Sequence, residues 1–372
     1  MRASRLLALV CLAGCASTGQ PALPGRAVLE QELLARGLED EQVIVPFAVD
    51  AEAVAWLRAN VPEQGSAQAR LNLLLQRLTV AEDGLGVAYD RNTTGTAAEV
   101  FRERSANCLG FMNLFVGLAR EMGVPAFFLA IEDKPIYDKT GDLVVIAEHV
   151  AAGFGEGEGM LLLDFTAGEG RTYGSVRRLT DLEAIARYYS NRGVEVLQAA
   201  QPARAVEWLE MAVRLDPAQA AAWVNLGVAR RRTADLAGAE AAYETALEKD
   251  PRNVSAYQNF AALLKLRGET KRAEELLALV AKLGSDNPFA YLSLGDWSLA
   301  SGRRDEARRF YRQALLIDRK RPEPLAALGE LELARGKLAA AQRWLKRAQK
   351  VGPDNERVKR LGEAIARTRS RA

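Results

Sequence analysis

Two side chains of this chain have an evident chemical use. The sequence contains a single histidine, His149, and Cys108 lies in the stretch SANCLGFMNLFVGLAREMG. A cysteine sulfur attacks a carboxamide or peptide carbonyl when an imidazole takes the thiol proton and a third group orients that imidazole. A carboxylate is a common third group, and Asp164 in the stretch MLLLDFTAG is the candidate. The sequence therefore predicts a catalytic set of Cys108, His149 and Asp164.

The sequence predicts that Cys108 lies in the first turn of a buried helix. Asn107 is a favourable N-cap residue, and Gly123 and Pro125 end the pattern. Unpaired N–H groups and the helix dipole favour negative charge at a helix start, and so favour a thiolate. Apolar residues surround the helix axis, so the helix should be central and hold the thiol rigidly. The backbone N–H of Cys108 is the candidate oxyanion donor, with the Asn107 side chain as a weaker one.

A β-hairpin can bring the histidine and the aspartate together. The runs LVVIAEHVAAGF and MLLLDFTAG read as strands, with the turn GFGEGEG between them. A two-residue turn at Glu156-Gly157, or a four-residue loop from Gly155 to Glu158, places His149 opposite Asp164. Cross-strand neighbours have β-carbons about 4.5 to 5.5 Å apart, which is within reach of an imidazole-carboxylate hydrogen bond. A five-residue loop would instead turn Asp164 to the other face.

These stretches resemble the core motifs of a known family. NCLGFMNLFVGLAREMGVPA, EHV and LLLDFT are similar to the three motifs of the transglutaminase-like superfamily, which has the papain-like cysteine proteinase fold. The resemblance, over residues 90–170, implies an α+β domain with Cys108 as nucleophile, His149 as base and Asp164 as orienting group. It implies a thioester intermediate and no cofactor or metal. Water would then make the protein a protease or amidase, and an amine would make it an acyltransferase.

The sequence departs from that family at two places. Val150-Ala151 follows the histidine where many members have a small residue and an aromatic one, and Asn107 precedes the cysteine where many have glycine. Neither change removes a reacting group, but both alter the expected substrate channel. Bacteriocin-type processing peptidases are a poorer match, because their upstream glutamine is missing: no glutamine lies between Gln76 and Cys108.

The second half of the chain repeats with a period of 34 residues. Alanine recurs at positions 205, 239, 273, 307 and 341, and glycines lie near the expected helix turns at 268, 302 and 336. This period resembles the tetratricopeptide repeat family of paired antiparallel helices. We predict an all-α solenoid of five repeats, at 186–219, 220–253, 254–287, 288–321 and 322–355, followed by a capping helix and basic tail at 356–372.

One repeat position suggests a binding groove. Asn191, Asn225 and Asn259 are equivalent residues of successive repeats. The resemblance implies that this position faces the concave surface, where an amide can bind the backbone of a protein or peptide partner. Ordinary solvated or inter-repeat roles for these asparagines remain open.

The first residues, MRASRLLALVCLAGC, resemble a bacterial lipoprotein signal. Arg2 and Arg5 form the basic start, and an apolar run leads to Ala13-Gly14 before Cys15. The resemblance implies removal of residues 1–14 and attachment of lipid to Cys15, followed by a flexible lead to residue 26; an ordinary secretory signal is the alternative. We therefore expect a lipid-anchored envelope protein. In enterobacterial lipoproteins an aspartate after the lipidated cysteine retains the protein in the inner membrane. Residue 16 is alanine, so we expect the periplasmic face of the outer membrane.

Composition limits the remaining choices. The chain has 372 residues, which favours two domains, and we assign residues 27–185 to the transglutaminase-like one. Its 50 basic and 48 acidic residues leave a net charge of +2, so no nucleic-acid partner is predicted. With Cys11 and Cys15 lost to processing and lipid, Cys108 would be the only free thiol. The alternative function is a non-catalytic repeat scaffold with an inactive cysteine domain.

Overall fold

The computed structural model describes residues 23–140, 143–165, 173–284 and 286–370. The predicted signal segment and Cys15 lie outside the described residues. In chain order, the first half contains α1 (Arg26–Ala35), α2 (Ala51–Asn60), α3 (Ala67–Thr79), β1 (Ala88–Tyr89), α4 (Ala97–Glu103), β2 (Ser105–Ala106), α5 (Cys108–Glu121), β3 (Phe127–Thr140), β4 (Leu143–Phe154), β5 (Leu161–Leu163) and β6 (Val176–Arg178). This half therefore combines helices with a small sheet.

Helix α5 is the centre of the first half. Its residues from Cys108 to Ala119 are all buried, which is the consequence of apolar residues on every side of the helix. Two glycines let neighbouring backbone approach it closely. A Cβ atom on Gly117 would lie 2.3 Å from the carbonyl oxygen of Phe47, and one on Gly110 would lie 2.9 Å from the backbone nitrogen of Gly95. The covering segments can pack this closely on α5 because Gly110 and Gly117 have no side chain.

The larger sheet is antiparallel and has the strand order β5-β4-β3-β6. Side chains alternate between its two faces. Phe128, Ala130, Val150, Ala152 and Leu163 belong to the same core as α5. The other buried set is Phe127, Leu129, Ile131 and Ala151, which packs with Met160, Leu162, Tyr173 and Val176. Both faces of the sheet are consequently covered.

The β3–β4 hairpin has an irregularity in the middle. Its inner part pairs Phe127 with Gly153 through to Ile131 with His149, and its outer part pairs Ile136 with Ala147 through to Thr140 with Leu143. Residues 132–135 of β3 therefore lie opposite Glu148 alone. Extra residues of this kind bend a strand and increase its twist. We call residues 136–140 and 143–147 the hairpin arm.

The second half consists of helices arranged in antiparallel pairs. They are α6 (Asp181–Gln198), α7 (Pro202–Leu215), α8 (Ala220–Arg232), α9 (Leu236–Lys249), α10 (Val254–Leu266), α11 (Thr270–Leu283), α12 (Pro288–Ala300), α13 (Arg304–Ile317), α14 (Pro322–Ala334), α15 (Leu338–Val351) and α16 (Glu356–Arg369). The repeating alanines are completely buried where paired helices meet. A Cβ atom on Gly227 would lie 2.4 Å from the ring of Tyr243, so small residues allow the helices to approach.

Helix α6 begins earlier than the predicted repeat boundary at residue 186. Thr180 caps it through a capping box with Glu183, so the helix starts at Asp181. Asp181 accepts two hydrogen bonds from Arg120 of α5, at 2.9 and 2.8 Å. The boundary at 185/186 thus falls inside a helix that packs against both halves of the chain.

The helices that the structure describes include none with the length and apolar character needed to cross a bilayer.

We expect Gly117→Ala to lower the free energy of unfolding by about 1–3 kcal/mol, because the added methyl group would collide with fixed backbone. The matched control is Gly362→Ala in α16, where the nearest atoms to the new Cβ lie 3.8 and 4.0 Å away. That change should stabilise the protein by up to about 1 kcal/mol, because alanine favours a helix. Urea denaturation compares the two variants. Equal effects would contradict the packing assigned to α5.

Candidate active site at the start of helix α5

Cys108 lies at the first position of α5 and only 4% of its surface is exposed. Asn107 is the N-cap: its side-chain oxygen accepts a hydrogen bond from the backbone N–H of Gly110 at 2.9 Å. The nitrogen of the same amide donates to the hydroxyl of Thr94 at 2.6 Å. Both ends of the amide are therefore engaged, which favours capping over oxyanion binding.

His149 and Asp164 meet in the structure. The Nε2 atom of His149 lies 2.8 Å from Oδ2 of Asp164, and both side chains are almost fully buried. The hydroxyl of Tyr173 also donates to Oδ2 of Asp164. A carboxylate that is buried with two hydrogen-bond partners is held in one position. It can therefore fix the orientation of the imidazole.

The predicted hairpin register is wrong by two residues. Strand β5 pairs Leu163 with Ala152, so His149 and Asp164 are not directly opposite one another. The cause is a longer connection, in which a short 3₁₀ turn covers Gly157–Gly159 and Gly155 has a φ of 84°. Because strand side chains alternate with a period of two, a shift of two residues keeps Asp164 on the side of His149. The two side chains meet diagonally instead.

Cys108 lies near enough to His149 to influence the titration of the imidazole. Burial opposes the charged imidazolium, but its hydrogen bond to Asp164 and its interaction with Cys108, together with the nearby charges of both groups, outweigh burial and raise the pKa of His149 to about 9. The imidazole is therefore protonated at neutral pH. Since Nε2 is engaged by Asp164, Nδ1 is the ring nitrogen left for the sulfur. The three side chains therefore form a series in which His149 lies between Asp164, its hydrogen-bond partner, and Cys108.

Aromatic side chains enclose this series. Phe165, which follows Asp164, stacks on Phe111 of α5 with the ring centres 3.8 Å apart. Tyr89 lies 6.1 Å from Phe165 and is 48% exposed, so it stands at the solvent edge. Burial raises the pKa of Tyr89, and the nearby charge of Cys108 raises it further. Tyr89 thus joins the aromatic residues of the site to solvent.

A second set of contacts fixes the segment before α5. The backbone N–H of Thr94 donates to Glu195 of α6 at 2.6 Å, and the amide of Asn113 donates to the carbonyl of Gly95 at 3.0 Å. Burial raises the pKa of the Glu195 carboxyl. Through Thr94, Glu195 supports the Asn107 cap. The site is consequently held in part by the first helix of the repeats.

Sequence reasoning missed Tyr89, Tyr173 and Glu195. Tyr89 belongs to a strand of two residues, and Tyr173 follows the segment 166–172, which lies outside the described residues. Glu195 is separated from Thr94 by 101 residues. No local pattern marks any of the three, because each reaches the site through the tertiary fold.

The three predicted groove asparagines differ in their surroundings. Asn259 is buried and its amide binds both backbone groups of Val144: it accepts from the N–H at 3.0 Å and donates to the carbonyl at 2.8 Å. Asn225 is completely buried, whereas Asn191 is partly exposed. At Asn259 the expected contact between an amide and a peptide backbone is therefore made, and the backbone belongs to the hairpin arm of the same chain.

The described residues contain no group of three or more histidine, cysteine, aspartate or glutamate side chains arranged to hold a metal ion.

Comparison with known proteins identifies the second half. Three tetratricopeptide repeat family models match residues 220–253, 242–275 and 298–365. Together with the paired helices, these matches confirm that the second half contains tetratricopeptide repeats; the bounds of the five predicted repeats stay a prediction. No curated protein matches the chain significantly.

Solved structures similar to the chain are repeat proteins of low sequence identity. A thermophilic tetratricopeptide repeat protein of Thermus thermophilus, TTC0263, is 21% identical, covers 49% of this chain and 99% of its own, and has a TM-score of 0.43. PilF of Pseudomonas aeruginosa is 21% identical over 51% of this chain and 86% of its own, with a TM-score of 0.43. PilW, described as a type IV pilus biogenesis factor, is 19% identical over 50% of this chain and 87% of its own, with a TM-score of 0.43.

Because His149 is the only histidine, its titration can be followed by NMR in protein without a histidine tag. We expect a pKa of about 9, and a lower pKa in Asp164→Asn, which removes a hydrogen bond and a charge that favour the imidazolium. Glu363→Gln is the control, because it removes a carboxylate that is 66% exposed on α16 and pairs with Arg367. A pKa near 6.5 in the wild type would contradict the site geometry.

Proposed function

We propose that this chain is a lipid-anchored envelope protein with a transglutaminase-like cysteine site that acts on peptide or carboxamide bonds, and that its repeats bind a polypeptide partner. The observation that carries the proposal is the position of His149, which is hydrogen-bonded to Asp164 and lies near Cys108. The nucleophile Cys108 lies at the start of α5, and the base His149 lies on β4. The orienting carboxylate of Asp164 follows the end of β5. This arrangement supports acyl transfer through sulfur.

The reaction begins with the sulfur of Cys108. The sulfur bonds to the substrate carbonyl carbon, and the thiol proton resides on His149. The carbonyl oxygen becomes an oxyanion, and the backbone N–H of Cys108 is the candidate donor that stabilises it. The carbon–nitrogen bond then breaks, and the leaving amine takes the proton from His149. A thioester of Cys108 remains.

The second half of the reaction reverses these roles. Water or an amine attacks the thioester carbon while His149 takes its proton, and the carbon–sulfur bond breaks to return Cys108. Water yields a carboxylic acid and an amine yields a new amide. The buried Asp164 keeps the imidazole in one orientation through both halves, since it holds Nε2 at 2.8 Å.

A non-catalytic scaffold is the second candidate function. Only 4% of Cys108 is exposed, so a substrate carbonyl reaches the sulfur only if the covering segments yield. In this case the repeats alone carry the function, as a surface for a protein partner, and the cysteine domain is an inactive fold.

Alkylation of Cys108 by iodoacetamide at pH 7 separates the two candidates. A chain that starts after residue 15 has Cys108 as its one thiol. We expect the wild type to react about tenfold or more faster than His149→Ala, with Asp164→Asn between them, because the imidazolium stabilises a reacting thiolate.

Cys108→Ser serves as the control for labelling at other side chains. Equal, slow alkylation of the wild type, His149→Ala and Asp164→Asn would contradict the catalytic proposal and favour the scaffold. Mass analysis of a glutamine-containing peptide, incubated with and without an added primary amine, then distinguishes hydrolysis, which converts glutamine to glutamate, from transfer, which attaches the amine to the peptide.

The lipid anchor has its own test. In a bacterium that processes lipoproteins, the full chain should incorporate radiolabelled palmitate and sediment with membranes, because lipid on Cys15 provides about 0.8 kcal/mol of membrane affinity for each buried methylene. Cys15→Ser should lose both properties, whereas Cys11→Ser should keep them. Equal palmitate incorporation by Cys15→Ser and the wild type would overturn the assignment of the anchor.

A further inference from the structure

The hairpin arm lies against the repeat helices, and β4 contacts α8 and α10. Val144 of β4 is completely buried in a cluster formed by repeat helices. That cluster contains Phe289, Leu292, Ala307, Tyr311, Ala314, Ala327, Leu328 and Leu331. An apolar side chain of the first half therefore packs among repeat helices. These helices are distant from it in the sequence, since the first of them, α12, begins at Pro288.

The backbone of the arm is bound in the manner of a ligand. The amide of Asn259 pairs with the N–H and the carbonyl of Val144, and Arg321 donates to the carbonyl of Tyr137 at 3.2 Å. These contacts engage main-chain groups, which every polypeptide has. Because an unpaired buried amide costs about 1–3 kcal/mol, Asn259 favours a state in which some backbone occupies this position. The groove is thus suited to an extended segment with a small apolar side chain.

The base of the arm is bound by polar side chains. Glu148 accepts from the amide of Gln219 at 2.9 Å and lies 2.8 Å from the guanidinium of Arg187. Arg187 also lies 3.3 Å from Asp216. These groups line a polar cavity of about 580 Å³ between the sheet and the repeats. The arm is consequently attached at two points, with an open space beside it.

One strand joins the groove to the candidate active site. Val144 and His149 are five residues apart on β4, which corresponds to about 17 Å of extended chain. The irregular pairing of β3 opposite Glu148 separates the arm from the inner sheet. The arm can therefore leave the repeats by bending at this position, and the bend lies next to His149.

We propose that the hairpin arm is an internal occupant of the repeat groove, and that an extended polypeptide with a small apolar residue displaces it and thereby alters the position of His149 beside Cys108. The part concerning Cys108 rests on the proposed function. The part concerning the groove rests only on the contacts of Val144 and Asn259.

Self-occupation sets a threshold for the partner. A segment tethered to the same chain competes at an effective concentration of about 1 mM or more. A free peptide must therefore bind the empty groove far more tightly than this to displace the arm. Weak and unspecific peptides are excluded, and the groove opens only to a good ligand.

The first experiment measures binding of a fluorescent synthetic peptide, LVVIAE, which has the sequence of residues 143–148. Val144→Asp should expel the arm, because an unpaired carboxylate is costly in an apolar pocket. We expect this variant to bind the peptide about tenfold or more tightly than the wild type, because the internal competitor is gone. Adding Asn259→Ala to it should abolish the gain.

Two controls keep the result interpretable. Val351→Asp makes the same substitution at a residue that is 40% exposed on α15, and should bind the peptide like the wild type. Hydrogen exchange of the amides at 143–147 should quicken in Asn259→Ala, which loses the backbone contact without adding a charge. Equal peptide binding by the wild type and Val144→Asp, or unchanged exchange in Asn259→Ala, would overturn the internal occupant.

The link to the active site is measured by alkylation of Cys108 with iodoacetamide at pH 7. We expect Asn259→Ala to react about threefold or more slowly than the wild type, because release of the arm loosens His149. An unchanged rate, in a variant whose arm exchanges faster, would overturn the link. If His149→Ala itself reacts like the wild type, the proposed function fails instead, while the peptide experiment still decides the groove.

Discussion

The hydrogen bond between His149 and Asp164 is the interaction on which the arrangement of the first half depends. It joins two side chains that are nearly inaccessible to water, and such groups are stable inside a protein only when each has a partner. Strand β4 provides the histidine, and the end of β5 provides the aspartate. The stacking of Phe165 on Phe111 then attaches that strand end to α5, whose first residue is Cys108. The geometry of the thiol, the imidazole and the carboxylate follows from these attachments.

The sequence was informative where structure is local or periodic. An asparagine before an apolar run indicated the start of α5, and a period of 34 residues indicated the helix pairs. It was less informative about register, because the pairing of β4 with β5 depends on the conformation of a glycine-rich connection. Side-chain alternation nonetheless kept Asp164 on the side of His149 after a shift of two residues. Tyr89 and Tyr173 could not be predicted, because no local sequence pattern indicates that either residue lies near Cys108.

The asparagine column shows how a repeat pattern can predict a contact without predicting its source. The pattern indicated that an amide would bind a peptide backbone, and Asn259 does so. It gave no indication that the backbone would come from residue 144 of the same chain. The partner lies 115 residues away, and only the packing of β4 against α8 and α10 brings it there. The binding partner of Asn259 therefore depends on the segment that precedes the repeats as well as on the repeats themselves.

Helix α6 explains why the site and the groove belong to one structural unit. It is the first of the paired helices in the second half, yet its Asp181 binds Arg120, its Glu195 holds Thr94, and its Tyr189 accepts from the backbone N–H of Ile44. A boundary after residue 185 would keep Arg120 and Asp181 in one domain. It would divide the other two contacts, which join Glu195 and Tyr189 of α6 to residues of the first half. Since Thr94 in turn holds the Asn107 cap, the start of α5 is positioned from the repeat side as well as from the sheet. The smallest segment that can hold Cys108 in this geometry must therefore include all of α6, together with α7, which packs along it.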